Sequence, residues 1–234
     1  MLTRIRTTGM MSAPPSQILN LLVSSIYRLS SCAMLFLLSL PAYAAAPSAY
    51  SPSASIPGAA HVCAACHGYQ GTGKATGVPR IGGMNANYLA HALAAFKAGR
   101  RRSKAMQPIA RALSATNIVA VSKYFAAQDP PLAPSPQPPS PDWVTAGKTL
   151  AVQGAEKNIP ACFECHGMNA RKTDQLVPSI AGEPAIYVVR RLHAFQALAR
   201  VGAPKPGSMT EVASKLTDTQ VRNVAAYLSV TPPK

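Results

Sequence analysis

Two segments carry cysteine and histidine in the same order: Cys63-Ala64-Ala65-Cys66-His67 and Cys162-Phe163-Glu164-Cys165-His166. Both read C-x-x-C-H, the pattern of covalent c-type haem attachment. Residues three apart on a helix lie about one turn apart. Two such thiols can each form a thioether with one of the vinyl groups on a single porphyrin edge. The histidine next in line turns its imidazole toward the iron as proximal ligand. Competing chemistries account for the cysteines but not for the histidines. Two C-x-x-C pairs could share a structural zinc, or each could be a thioredoxin-like redox pair. Neither explains a histidine after both pairs, and a disulfide framework does not need one. The pattern predicts two covalently bound haem c groups, held by Cys63, Cys66, Cys162 and Cys165, with His67 and His166 on the irons.

An internal repeat nominates the ligands on the far faces. Val78-Pro79-Arg80-Ile81-Gly82-Gly83 recurs as Val177-Pro178-Ser179-Ile180-Ala181-Gly182, offset by 99, and Tyr88 and Phe96 recur as Tyr187 and Phe195. After a four-residue insertion the offset becomes 103, matching Met106, Leu113 and Tyr124 to Met209, Leu216 and Tyr227. Met84 corresponds to Glu183 and does not repeat, while Met168 lies two residues from His166, too near to reach the opposite face. His91 corresponds to Arg190 and His193 to Ala94, so neither histidine repeats. Met106 and Met209 are therefore the predicted distal ligands, although a lone Met is ordinarily core packing.

The elements that must position these groups are helical. Leu89, Leu93 and Phe96 fall on one stripe, as do Val188, Leu192 and Phe195. Ser114 and Thr217 each precede a final amphipathic helix, and Thr217 with Gln220 has capping-box spacing. These last helices turn Val121 and Tyr124, or Val224 and Tyr227, toward the interior. Trp143 to Gly154 reads as an opening helix of the second half. The first half has only a Ser/Pro/Ala stretch, Pro47 to Ile56, in that place. Between the halves, Asp129 to Pro141 holds seven prolines in thirteen residues. This composition predicts a semi-rigid extended spacer of up to about 40 Å. Cores this small often need a staple; a buried porphyrin supplies one, so either half is expected to be largely unfolded without its haem.

The chain has 234 residues, 48% of them apolar, which excludes a wholly disordered chain. No apolar run reaches the roughly 20 residues of a membrane span. Arg4 and Arg6, the apolar stretch Cys32 to Leu40 and the site Ala42-Tyr43-Ala44 predict a signal peptide over 1–44 and export, to a bacterial periplasm. A lipoprotein box at Leu29-Ser30-Ser31-Cys32 and an uncleaved anchor are the competing readings. Cleavage removes Cys32 and leaves the four motif cysteines. The expected organisation is thus 1–44 signal, 45–128 first domain, 129–141 linker and 142–234 second domain.

Lys and Arg outnumber Asp and Glu by 23 to 8. Residues 45–128 carry nine Lys/Arg and no acid, a charge of +9; residues 129–234 carry eleven against eight, +3. The run Arg100-Arg101-Arg102 with Lys104 sits just before Met106. Export argues against nucleic acid. The run reads as a docking face for an acidic redox partner or anionic lipid, with peripheral membrane association through the basic first domain, against the plainer reading of a solvated loop. Arg101 and Arg200 match across the repeat, which offers both as counter-charges for haem propionates.

On these motifs the chain resembles the class I cytochromes c, in particular the two-domain di-haem cytochrome c4 type, over about residues 56–128 and 142–230. The resemblance implies an all-α fold of two tandem helical domains, each wrapped around one haem. It also implies that the carbonyls of Pro79 and Pro178 accept the Nδ1 protons of His67 and His166, fixing the rings. With His and Met on each iron no position is open to oxygen, peroxide or substrate, and the remaining job is one-electron transfer. The expected function is a periplasmic, non-enzymatic carrier between a quinol-oxidising respiratory complex and a terminal oxidase, the acceptor to which the c4 resemblance points. The alternatives are an electron-accepting subunit of a periplasmic dehydrogenase and a di-haem peroxidase, the latter needing one haem able to open. A thiosulfate-oxidising di-haem enzyme with a cysteine ligand lacks the unpaired cysteine it would need.

Overall fold

A computed structural model describes residues 57–167 and 176–233. The expected signal segment, the stretch Pro47–Ile56 and Met168 lie outside the described residues. All the described residues belong to one compact unit, Ala54–Lys234, built from helices with no named strand among them. The first half runs α1 (Ala60–His67), α2 (Ala86–Lys97), α3 (Met106–Ala112) and α4 (Ala115–Ala126). The second runs α5 (Pro141–Gln153), α6 (Cys162–His166), α7 (Ala185–Val201), α8 (Met209–Lys215) and α9 (Asp218–Val230).

Local chemistry sets most of these boundaries. The Asn85 side chain caps α2 by accepting from the Asn87 and Tyr88 N–H groups, and the stripe it launches buries Leu89 and Phe96. Ser114 caps α4 through the Asn117 N–H, and Thr217 and Gln220 form the expected capping box of α9. Val121 and Val224 are both 2% exposed, facing inward as predicted. Tyr124 and Tyr227 are only half-buried; the aromatic that fills the first core is their neighbour Phe125.

The opening helix of the second half begins at Pro141, where a proline suits the first helical position because its N–H would be unpaired anyway. It lies against α9, the most extensive helix pairing among the described residues. Gly147 permits this: a Cβ there would stand 2.0 Å from the Asn223 carbonyl oxygen. The resulting core joins Leu150, Ala151, Val221, Val224 and Leu228 to Val188 and Leu192 of α7. The first core is smaller, formed by Ala60, Met84, Leu89, Val121 and Phe125.

The proline-rich segment does not stand free as a spacer. Pro130 is buried against Gly82, where a Cβ would come within 2.6 Å of its ring, and the Pro131 carbonyl accepts from Arg80 Nη1 at 2.9 Å. Leu132 lies by Gly182 in the second half. The first half takes a proline ring and a proline carbonyl, the second a leucine side chain, so the segment is a strap.

Candidate functional site

Each C-x-x-C-H motif ends a short helix: Cys63, Cys66 and His67 on α1, and Cys162, Cys165 and His166 on α6. No disulfide joins these four cysteines. Burial raises the Cys63 thiol and pushes Cys162 up to about 11, so both stay protonated at neutral pH. Among the described residues no group of three or more His, Cys, Asp and Glu side chains gathers as zinc would require.

The loop after α1 returns to orient its histidine. Gly73, at φ 81°, lets the chain fold back, since a Cβ there would strike the Val78 carbonyl oxygen at 2.6 Å. Pro79 then presents its carbonyl oxygen 2.8 Å from His67 Nδ1, and Pro178 does the same for His166 Nδ1 at 2.7 Å. A carbonyl can only accept, so Nδ1 carries the proton in both rings and Nε2 keeps its lone pair. Burial lowers the pKa of both histidines, which holds them neutral.

Met106 and Met209 stand at matching places, each the first residue of a seven-residue helix. In the second half Met209 Sδ lies 3.5 Å from His166 Nε2. This contact is not a hydrogen bond, because the proton sits on Nδ1 and a thioether has none to give. The two donor atoms, neither carrying a proton, meet at van der Waals contact, the pairing that two ligands of one iron would make after parting to admit it. In the first half His67 and Met106 both line a cavity of about 470 Å³, shared with Cys63, Cys66 and apolar walls that include Leu93 and Phe96. Ser122, 2% exposed, lies in that wall with no partner for its hydroxyl among protein groups. A large, flat, mostly apolar group with a polar edge fits this space. Met84, 6% exposed, is a core residue as well as part of the wall, and His91 and His193 lie exposed on α2 and α7.

The cavity is closed in part by the other half. Glu183, Tyr187, Arg190, Arg191 and Ala194 complete its lining. Here the basic run departs from the docking face that its sequence suggests. Arg100, Arg102 and Lys104 are exposed, but Arg101 turns inward and donates to Tyr187 OH at 2.6 Å and Tyr88 OH at 3.4 Å. The two tyrosines are repeat-mates, so one guanidinium ties equivalent positions of the two halves together. Its own repeat-mate Arg200 is exposed. Arg191 performs the equivalent task instead: it lies 4.6 Å over Phe195, as Arg101 lies 4.6 Å over Phe96. Neither this swap nor the buried Glu183 was foreseen from sequence. The mismatch of Glu183 with Met84 in an otherwise faithful repeat was the signal for the second.

A family model described as cytochrome c matches the chain twice, over residues 59–129 and 144–231. The chain belongs to the cytochrome c family. The thiosulfate dehydrogenase electron acceptor of Thiomonas intermedia (strain K12) is 36% identical over 190 residues, 80% of this cytochrome and 85% of that protein. The solved cytochrome c4 of Acidithiobacillus ferrooxidans superposes with a TM-score of 0.61 at 34% identity, covering 71% of this cytochrome and 97% of that chain. The thiosulfate dehydrogenase of Marichromatium purpuratum gives a TM-score of 0.63 at 35% identity. It covers 73% of this cytochrome, which spans only 36% of that longer chain. The cytochrome is therefore of the two-domain c4 type and carries two covalently bound haem c groups.

Proposed function

We propose that the cytochrome relays single electrons from a periplasmic dehydrogenase to a respiratory acceptor, and is not itself an enzyme. The observation that carries this reading is the pairing of His166 Nε2 with Met209 Sδ at 3.5 Å while Nδ1 is committed to Pro178. In this reading Cys63, Cys66, Cys162 and Cys165 bind the porphyrins, and His67 with Met106 and His166 with Met209 hold the irons. Bound haem supplies an iron that changes its charge by one without changing its ligands. The protein's part is to fix both rings by the proline carbonyls, to present the thioethers from helix starts, and to keep water out with apolar walls. A histidine and a methionine held to each iron would leave no position for a substrate.

The identity of the donor rests on the Thiomonas relative, whose name makes it the acceptor of a thiosulfate dehydrogenase. Similarity to cytochrome c4 favours a second reading, a free carrier between a quinol-oxidising complex and a terminal oxidase. Export by residues 1–44 puts the cytochrome in the periplasm in both. Arg100, Arg102 and Lys104 give the first domain an exposed basic patch near the Met106 loop, suited to an acidic partner surface or an anionic membrane.

Stopped-flow reduction of the di-haem protein distinguishes the readings. Purified thiosulfate dehydrogenase with thiosulfate should reduce it quickly, with a rate that falls as salt rises. Reduction only by a quinol-oxidising complex would favour the second reading. Turnover of peroxide by the isolated protein would overturn both.

A further inference from the structure

Where the two halves meet lies one carboxyl that electron transfer has not used. Glu183 is 3% exposed, stands immediately before the Pro184 cap of α7, and lines the first cavity. Its Oε2 accepts the Arg80 N–H at 3.1 Å, across the boundary between the halves. The repeat puts Met84, also buried, at the corresponding place in the first half. A thioether fills such a volume without desolvation cost, whereas a buried carboxylate costs several kcal/mol unless its charge is matched.

The charged and titratable groups around Glu183 come from several elements. Arg80, 2% exposed, approaches from the loop ahead of α2, its guanidinium 4.0 Å from Asp129 of the strap. Arg101 comes from the loop after α2, with Tyr88 of α2 beside it. Tyr187 stands on α7, with Arg190 and Arg191 on the same helix. Burial pushes the carboxyl up to about 8, against the pull of the Arg80 N–H and of the Arg80 and Arg101 charges. Its two protonation states are thus close in free energy near neutral pH, and a change of charge in the cavity it lines tips the balance.

We propose that Glu183 is a redox-linked proton site, binding a proton when the first haem is reduced and releasing it when that haem is oxidised. The inference rests on haem occupying the first cavity. The balance is simple. One electron arrives from the donor protein and lodges on the iron; one proton leaves solvent and forms the Glu183 O–H bond, so the net charge of the buried site is unchanged. Oxidation reverses both steps. The cause is repulsion between the added electron and the carboxylate across a wall of low polarisability.

The test is equilibrium redox titration of the full holoprotein from pH 6 to pH 9, resolved into two one-electron steps, for wild type, Glu183→Gln and Glu183→Met. In the wild type the reduction equilibrium of one haem should fall about tenfold over that range, ~59 mV for one electron. The variants should lose at least half of that dependence. They should match wild type at pH 6, where Glu183 is protonated, and reduce more readily at pH 9, where its charge is gone. Proton uptake on reduction, followed with an indicator dye, should drop in parallel. Glu183→Met installs the repeat's own residue and carries the test if Glu183→Gln does not fold. Wild-type slopes retained in a folded variant, or a wild type with pH-independent potentials, overturn the proposal. A haem count of one per wild-type chain overturns the haem assignment instead.

Discussion

The two halves descend from one pattern yet solve the same positioning problem with different groups. In the second half α5 crosses α9 at Gly147 and closes a core that runs from Leu150 to Leu228. The first half has no such helix among the described residues, and its core is small. The methionine loops differ as well. Ser103 Oγ accepts the Met106 N–H from three residues back, while Ser208 caps α8 directly through the Glu211 N–H. Glu211 in turn accepts from Gly207 N at 2.7 Å and pairs with Lys215 at 2.9 Å. The charge over each repeated phenylalanine comes from after its helix in one half, Arg101, and from within it in the other, Arg191. Both halves keep the bond from the motif histidine to the loop proline, His67 to Pro79 and His166 to Pro178. The supporting groups drift as long as charge and volume are replaced.

The sharpest break of this symmetry comes from removing haem. Cys63→Ser with Cys66→Ser should lower covalent haem from two per chain to one and leave the first half largely unfolded. Cys162→Ser with Cys165→Ser should lower haem equally but leave more helix, because the α5–α9 core persists. Haemochrome assay with circular dichroism reads both, and equal helix loss would erase the distinction drawn between the two cores. Next in size, Met106→His and Met209→His should each lower the potential of its own haem by roughly 0.1–0.3 V, within the ~0.8 V that axial ligands command. A fall in the other haem's potential would mean the halves are not separate sites.

The junction between the halves sharpens the comparison further. The Glu183 carboxyl is raised from an ordinary 4.5 to about 8. A raised acid stabilises the fold fully below its unfolded value and loses that contribution as pH climbs toward the folded one. Wild-type stability should therefore decline by ~1–4 kcal/mol between about pH 5 and pH 8, and Glu183→Met should flatten the curve in denaturant titrations. Arg101→Leu leaves the buried Tyr187 hydroxyl without its donor and should cost about 1–3 kcal/mol, splitting one thermal transition into two. The smallest effect is at the caps. Thr217→Ala removes a capping box and should cost about 1 kcal/mol, confined to the second half's transition.

Much of this was legible in the sequence because it is local. The spacing of Cys63, Cys66 and His67 is one helical turn, and the caps at Ser114 and Thr217 act on N–H groups three residues away. The repeat extended that reach to Met106 and Met209 by comparing the chain with itself. It failed where the halves differ. Offset arithmetic paired Arg101 with Arg200, whereas the structure turns Arg101 inward and gives the matching task to Arg191. The proline segment read as a spacer because composition reports stiffness and not contacts; only the folded molecule shows Pro130 against Gly82 and Pro131 bonded to Arg80.

By itself the sequence determined the cofactor and the order of helices and nominated the residues that would hold it, since all of these follow from residue type at short or repeated spacing. The tertiary structure alone decided the junction. Arg80 meets Glu183 across 103 residues and Arg101 meets Tyr187 across 86. Such pairs have no local spacing to betray them; they exist because packing two apolar domains together leaves buried polar atoms that must find partners where the surfaces touch.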